Sequence, residues 1–358
     1  MPIVPLYGHS ALKLRLHESM QRNRLPSSLL IQGPPGIGKQ RLALWLGQLL
    51  LCTGEGTRPC GECSDCRLTR ELAHPDLRWF FPRMRLTDAD VTAAEVLDHY
   101  AEAIAERVER CGLYPKPSGS EGIFVPAVHA LVHIAARTPA LARRKVLVIG
   151  DADRMVPQEG TEAAANAFLK LLEEPLPNTT IVLTSSEPSA LLPTVRSRVV
   201  VVRAFPLPEA DVRAFLADPL VGKALGDGKL AVPASVDERV AMAAGAPGRL
   251  FRASAIATAR RIAGSLLEAA TAGPAERARA ALERGSNKAR GEFSDALDEL
   301  AELLSERMRG SLHRSDIQAA RLAAEAIDEV ERAKERAGGN VNPQLLSASL
   351  LRMLSGQR

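Results

Sequence analysis

A glycine-rich loop that ends in lysine is the clearest chemical motif of this sequence. Gly33, Gly38 and Lys39 occupy the fixed positions of the pattern G-x-x-x-x-G-K, and Gly36 lies between them. In such a loop the backbone N–H groups surround phosphate oxygens, and the lysine reaches the β- and γ-phosphates. The apolar run 28–32 precedes the loop and an apolar helical pattern follows it, which is the context that the motif requires. The sequence therefore predicts a nucleotide-binding P-loop.

The residues that should hold magnesium and activate water depart from those of a working ATPase. Gln40 stands where Ser or Thr would give a hydroxyl to Mg²⁺, and a longer neutral amide replaces that ligand poorly. The second apolar run should end in an acidic pair, but Gly150, Asp151 and Ala152 follow it. In one alignment Gly150 takes the metal position, and in the other, shifted by one residue, Ala152 takes that of the base. Either alignment predicts an impaired Mg²⁺ site and no hydrolysis, while ATP binding by Lys39 stays open.

Four cysteines crowd into one short segment, with the spacing Cys-x7-Cys-x2-Cys-x2-Cys. They are Cys52, Cys60, Cys63 and Cys66. Four thiolates at this density match a tetrahedral zinc site, and a site closed by four sulfurs is structural rather than catalytic. Free surface thiols, the alternative, would invite oxidation. His74 is predicted to be a loop residue and Cys111 an ordinary unpaired thiol, so that neither binds the metal.

A short basic motif follows the third apolar run of the chain. Arg196, Ser197 and Arg198 come directly after Leu-Leu-Pro-Thr-Val. Such a motif is usually solvated surface charge. An arginine at the end of a parallel sheet can instead reach the γ-phosphate bound by a neighbouring subunit, as an arginine finger. The spacing alone leaves both interpretations open.

Alternating strand and helix patterns must position these residues. Apolar runs of strand length occur at 28–32, 145–149, 180–184 and 199–202, with helical patterns between them. This alternation predicts an α/β core with a parallel sheet that is covered on both faces. After about residue 203 strand signals cease, and Phe293, Leu297, Leu300 and Leu304 form an apolar helical stripe. The predicted domains are a core at 1–203, with a zinc module at about 52–66 and an insertion at about 82–122, a small helical domain at 204–252 and a helical bundle at 253–358.

The composition excludes several classes of protein. Hydrophobic residues make up 46% and charged residues 25% of the 358 residues, which is ordinary for a globular protein and excludes general disorder. The net charge of +4 is mild and does not by itself indicate nucleic-acid binding. The beginning of the chain lacks the pattern of a signal peptide, and no apolar run approaches the ~18 residues of a membrane helix. We therefore expect a soluble, cytoplasmic protein with no membrane partner.

Several motifs, taken in order, resemble those of one known family. Besides the P-loop and the cysteines, they are HPDL (74–77), NAFLKLLEEP (166–175), LLPTVRSR (191–198), GAPGRL (245–250) and NVNPQLL (340–346). Each motif is weak alone, but together they span nearly the whole chain. The sequence resembles the bacterial DNA polymerase III clamp-loader subunits of the AAA+ family, whose two relevant branches are delta prime and the gamma/tau motor.

The resemblance implies a specific architecture and a specific set of partners. The expected fold is a AAA+ core with an inserted zinc module, a helical lid and an all-α collar. The expected partners are the gamma/tau and delta subunits of a pentameric ring and, through this complex, the β sliding clamp and primed DNA. The family's serine-arginine motif carries over onto Ser197 and Arg198, which implies a finger that acts in trans. Val199 replaces the family's usual cysteine after that arginine, and a thiol is not needed for charge stabilisation.

The altered metal site favours one branch of the family over the other. Gln40 and the incomplete acidic pair resemble the delta prime stator, which does not hydrolyse ATP, more than the motor. An ATP-hydrolysing gamma/tau-type motor with an unusual metal site is the alternative. A third hypothesis, a zinc-dependent nucleic-acid binder, is disfavoured because acidic residues such as Glu55, Glu62 and Asp65 interrupt any basic face.

Overall fold

A computed structural model gives the architecture of the chain. It describes residues 2–86, 91–114, 121–155, 162–174, 176–227, 232–283, 290–337 and 342–355. Two compact units divide the chain, residues 1–251 and residues 252–358. Residues 115–120 of the predicted insertion lie outside the described residues. Across the residues described, no helix has both the length and the apolar character needed to cross a membrane.

A five-stranded parallel sheet forms the centre of the first unit. Its strands are β1 (Ser28–Gln32), β2 (Leu77–Phe80), β3 (Lys145–Ile149), β4 (Thr179–Ser185) and β5 (Val200–Arg203), in the order β2-β3-β4-β1-β5. All four predicted strands are confirmed. Strand β2 was not predicted, because the four-residue run LRWF contains a charged residue and gives no continuous apolar signal. Its position at the sheet edge permits this, since Arg78 is exposed while its neighbours are buried.

Helices surround this sheet and contribute most of the core. They are α1 (Ser10–Gln21), α2 (Lys39–Leu51), α3 (Ser64–Arg70), α4 (Ala93–Glu109), α5 (Val125–Ala136), α6 (Glu162–Glu173), α7 (Pro193–Arg196), α8 (Glu209–Leu216), α9 (Pro219–Asp227) and α10 (Val236–Ala243). Every residue of β3 is buried, as a strand covered on both faces requires. Helix α2 is almost wholly buried and packs on β1, β3 and β4. The P-loop at its start is therefore fixed by the core.

Helices α8 to α10 belong to a separate hydrophobic cluster within the first unit. Val212, Phe215 and Leu225 pack there together with Val4 from the beginning of the chain and with Cys111. The thiol predicted to be unpaired is thus a buried apolar contact. The division of this unit into a core at 1–203 and a lid at 204–252 stays a prediction.

The second unit contains only helices among its described residues. They are α11 (Ala253–Thr271), α12 (Pro274–Leu282), α13 (Arg290–His313), α14 (Ile317–Ala337) and α15 (Pro343–Ser355). Phe293, Leu297, Leu300 and Leu304 are all buried in its core, which confirms the predicted stripe. The long α13 packs against α11 and α14.

Candidate functional site

The P-loop connects β1 to α2 through a backbone that only glycine allows at several points. Gly36 and Gly38 have φ angles of 83° and 92°, in the left-handed region that other residues avoid. At Gly33 a Cβ atom would lie 2.3 Å from the carbonyl oxygen of Ala204. The motif glycines are therefore explained by local geometry, whether or not a phosphate binds.

The lysine of the loop is turned inward. Lys39 is 5% exposed, and its Nζ donates hydrogen bonds to the carbonyl oxygen of Pro34 and to Ser186 Oγ, both at 2.8 Å. Pro34 belongs to the loop itself, and Ser186 directly follows β4. The ammonium group thus links the P-loop to the end of a neighbouring strand. No sequence motif pointed to Ser186, because its role comes from the parallel pairing of β1 with β4.

Gln40 fills the position beside the loop where a magnesium ligand was expected. Its Nε2 donates to Asp151 Oδ2 at 2.9 Å, and its Oε1 accepts from Trp79 Nε1 at 3.0 Å. A Cβ atom on Gly150 would lie only 2.1 Å from Gln40 Oε1. The amide therefore occupies space that exists because residue 150 has no side chain.

Asp151 is the acidic residue nearest to this amide, and its surroundings oppose ionisation. Its backbone N–H donates to Thr184 Oγ1 at 3.0 Å. Burial raises the pKa of the Asp151 carboxyl, and the charge of Asp153 raises it further, against the opposing effects of Lys39 and Gln40. Asp153 Oδ1 itself accepts the backbone N–H of Ser186 at 3.2 Å.

An arginine within the predicted insertion lies against the aromatic side chain that contacts Gln40. The guanidinium of Arg107, on α4, lies 4.4 Å from the ring centre of Trp79, 3.3 Å from that of Phe81 and 3.7 Å from that of Tyr114. Burial lowers the pKa of Arg107 to about 10, while the charge of Asp151 opposes this shift. This packing fixes Trp79, which in turn holds the Gln40 amide. No pattern in the sequence predicted this packing.

The GAPGRL segment contacts the tip of the P-loop. The backbone N–H of Gly248 donates to the carbonyl oxygen of Gly36 at 2.9 Å. A Cβ atom on Gly248 would lie 2.7 Å from the Gly36 Cα atom, so this approach of two backbones requires glycine. The backbone nitrogen of Arg249 lies 3.2 Å from where a Gly36 Cβ would stand. The loop is therefore held from outside as well as by the core.

The four predicted metal ligands come together in one cluster. The Sγ atoms of Cys52, Cys60, Cys63 and Cys66 all lie within 4.8 Å of one another. The Cys60–Cys66 and Cys52–Cys63 sulfur distances are 3.9 and 4.0 Å, close to the about 3.8 Å of a tetrahedral zinc site. Burial acts to raise the pKa of Cys63, but N–H donors from Cys66 and Thr53 outweigh it and lower the pKa to about 6. The cluster can hold a metal ion such as zinc.

His74 and Asp76, in the HPDL motif, connect the cysteine segment to the sheet. His74 Nδ1 accepts the backbone N–H of Asp76 at 3.0 Å, so its proton lies on Nε2, which is 3.2 Å from Asp65 Oδ1. The Asp76 carboxylate accepts three backbone N–H groups of residues 140–142, at 2.6 to 2.8 Å. These donors outweigh burial and hold the pKa of Asp76 below its ordinary value. His74 is outside the sulfur cluster, as predicted, but it is a buried connecting residue.

Arg198 lies just after α7, and neighbouring groups of the same chain hold it. Its Nη1 donates to the carbonyl oxygen of Thr194 at 2.9 Å and to Ser197 Oγ at 3.1 Å. Its Nε donates to Glu173 Oε1 at 2.8 Å, and its Nη2 contacts the same oxygen. The Arg198 side chain is 31% exposed, unlike the buried polar groups of the P-loop. Glu173, at the end of α6, was not predicted as a partner.

Several known proteins are similar in sequence to this chain. The chain is 36% identical to the DNA polymerase III subunit delta′ of Pseudomonas aeruginosa over 182 residues, covering 51% of this chain and 43% of that protein. It is 31% identical to the delta′ subunit of Escherichia coli K12 over 185 residues, covering 51% of this chain and 44% of that protein. It is 25% identical to the gamma/tau subunit of Mycobacterium tuberculosis H37Rv over 214 residues, covering 59% of this chain and 30% of that protein. The matches thus span less than half of each relative.

A sequence model of a family provides the decisive comparison. The family described as "DNA polymerase III, delta subunit" matches residues 8–208, which include the P-loop, the cysteine cluster and Arg198. This match covers more than half of the chain. The chain therefore belongs to the DNA polymerase III delta-subunit family, with delta′ subunits among its relatives.

Proposed function

We propose that this chain is a clamp-loader subunit that does not hydrolyse ATP and that supplies Arg198 to the ATP site of a neighbouring subunit. Its relatives are delta′ and gamma/tau subunits of DNA polymerase III, which supports a role in a clamp loader. The proposed partners are gamma/tau and delta subunits in a pentameric ring. This ring acts on the β sliding clamp and on primed DNA.

One observation carries the claim that the chain does not hydrolyse ATP. The Gln40 amide is committed to Asp151 and Trp79 and packs against Gly150. Magnesium in a P-loop NTPase needs a hydroxyl oxygen from the position of Gln40 and a carboxylate from the end of the strand that corresponds to β3. Here the first position holds an amide that is already hydrogen-bonded, and the second offers only the half-buried Asp151 carboxyl, which binds that same amide. The phosphate-binding part of the loop remains, so nucleotide binding without turnover is compatible with the proposal.

The surroundings of Arg198 support its role as a finger. Its guanidinium is partly exposed and bound by short contacts to Thr194, Ser197 and Glu173. An arginine that reaches another subunit must be accessible and held in a defined position. Charge stabilisation by such an arginine contributes about 10³- to 10⁵-fold to turnover in P-loop enzymes.

The remaining parts of the chain are assigned supporting roles. Cys52, Cys60, Cys63 and Cys66 bind a structural zinc ion, and four sulfurs leave no open position for catalysis. Residues 204–252 form the lid, and residues 253–358 form the collar through which the subunit assembles. The packed helical core of the second unit supports this assignment.

Steady-state ATP turnover of the purified chain with Mg²⁺ tests the central part of this proposal. We expect no turnover above that of a Lys39→Ala preparation, which controls for contaminating ATPases. If the wild-type chain turns over ATP and Lys39→Ala abolishes this activity, Gln40 and Asp151 form a working metal site. The gamma/tau-type motor would then be the better assignment.

A further inference from the structure

The guanidinium of Arg198 has two edges, and each is held by a different kind of group. Its Nη1 N–H groups donate to the carbonyl oxygen of Thr194 and to the hydroxyl of Ser197. Both partners belong to the turn of chain that bears Arg198 itself. Its Nε/Nη2 edge instead faces Glu173, whose carboxylate comes from the end of another helix, α6.

A phosphate binds an arginine most strongly through two parallel N–H bonds from one edge. The Nη1 edge is hydrogen-bonded to a backbone carbonyl of the turn, which cannot move away unless the backbone changes its conformation. The Nε/Nη2 edge is tied only to a side chain. The Glu173 side chain is 46% exposed and has room to swing into solvent. This edge is therefore the one that a phosphate can take.

We infer that Glu173 is a latch on Arg198, which occupies the phosphate-binding edge in the free chain and is displaced by the neighbour's nucleotide. This inference rests on the proposed role of Arg198 in trans. The carboxylate carries one negative charge, and the terminal phosphate carries more, so a correctly placed nucleotide competes successfully for the guanidinium. Without that nucleotide, Glu173 keeps Arg198 neutralised.

The exposure of the pair limits the strength of this latch. Both side chains are about one-third to one-half exposed, and exposed ion pairs of this kind shift an equilibrium by roughly 1.5- to 5-fold. Dissolved salt weakens such pairs further. The latch therefore tunes how often Arg198 is available, rather than switching it off.

Glu173→Gln tests the latch, because it removes the charge and keeps an oxygen that can accept a hydrogen bond. The neighbouring Glu174 is the matched control, since Glu174→Gln makes the same change in charge one position away. In the reconstituted loader, at low ionic strength and subsaturating ATP, we expect Glu173→Gln to raise turnover roughly 1.5- to 5-fold. The increase should shrink as salt is added, disappear in the Arg198→Ala background and be absent in Glu174→Gln.

The possible results separate the latch from the function on which it rests. If Arg198→Ala lowers turnover but Glu173→Gln leaves it unchanged or lowers it, the latch is wrong and the finger stands. If Arg198→Ala has no effect in an assembled complex, both are wrong. Exchange of the Arg198 Nε–H in the isolated chain, measured by NMR, gives a readout independent of activity. It should be faster in Glu173→Gln than in Glu174→Gln, and equal rates would also overturn the latch.

Discussion

The polar side chains of the P-loop region and of the turn that bears Arg198 differ in their exposure to solvent and in the partners that they bind. Lys39 and Gln40 are buried, Asp151 is half-buried, and each is bound to groups of the same chain. Arg198 is partly exposed, and one of its edges is held by an exposed carboxylate. A buried network resists replacement because every broken contact leaves a desolvated group. An exposed ion pair exchanges partners at little cost. This difference supports our proposals that the P-loop region does not hydrolyse ATP and that Arg198 acts on a partner.

The space beside the P-loop is filled because two departures from the ATPase pattern, Gln40 and Gly150, fit each other. In the sequence, Gln40 and Gly150 are separate departures from the pattern of an ATPase. In the structure, the amide of the first fills the space left by the missing side chain of the second. A Cβ atom at residue 150 and a glutamine at residue 40 are not compatible in this arrangement. Restoring one residue alone is therefore expected to damage the site rather than repair it.

The cysteine cluster provides the largest expected effect, because we propose that it holds a structural zinc ion. We expect one zinc ion per chain in the wild type and a loss of zinc in Cys63→Ser. Structural zinc contributes about 10–16 kcal/mol to folding in zinc-finger peptides, so the module at 52–66 should lose its fold. Metal analysis and hydrogen exchange over this segment measure both effects.

Cys111→Ser is the matched control for the metal prediction. Cys111 is buried in the cluster around Phe215 and lies outside the four-sulfur group. Its substitution can lower stability, but the zinc content should stay at one ion per chain. A folded Cys63→Ser protein with full zinc content would contradict the assignment of the ligands.

A methyl group at residue 150 tests the fit between Gly150 and Gln40. In Gly150→Ala the new Cβ displaces the end of the Gln40 side chain, which disrupts its hydrogen bonds to Asp151 and Trp79. Loss of one buried and one partly buried hydrogen bond should lower the free energy of unfolding by about 1–3 kcal/mol. Chemical denaturation followed by circular dichroism measures this change.

Gly222→Ala makes the same substitution at an open position. Gly222 lies in α9, and a Cβ atom there would meet nothing within 4 Å. Alanine is a better helix former, so we expect a small gain of about 0.5–1 kcal/mol. If Gly150→Ala is as stable as Gly222→Ala, the close contact with Gln40 is wrong.

Local patterns predicted the parts of the structure that depend on neighbouring residues. The glycines of the P-loop and the spacing of the cysteines fix their own geometry within a few residues. Both are found as expected, and so is the buried stripe of Phe293 and Leu300. Strand β2 was missed because it is a short strand at the sheet edge. Such a strand pairs with one neighbour only and can form with a weak apolar pattern.

Contacts between distant residues could not be predicted from such patterns. The aromatic groups around Arg107 are Trp79 in β2, Phe81 directly after this strand and Tyr114 in the later part of the insertion. The three N–H donors to Asp76 lie more than 60 residues away in the chain. The partner of Arg198, Glu173, is 25 residues distant. Each of these contacts depends on the order of strands in the sheet, which the sequence does not encode locally.

ATP turnover of the reconstituted loader that carries Arg198→Ala in this subunit tests the central claim most directly. Arg196→Ala is the matched control, since it removes an exposed arginine from the same turn, and gel filtration confirms that both complexes assemble. We expect Arg198→Ala to lower ATP turnover at the site that Arg198 faces by on the order of 10³-fold. The turnover of the Arg196→Ala complex should match that of the wild type. Unchanged turnover in an assembled Arg198→Ala complex would contradict the account.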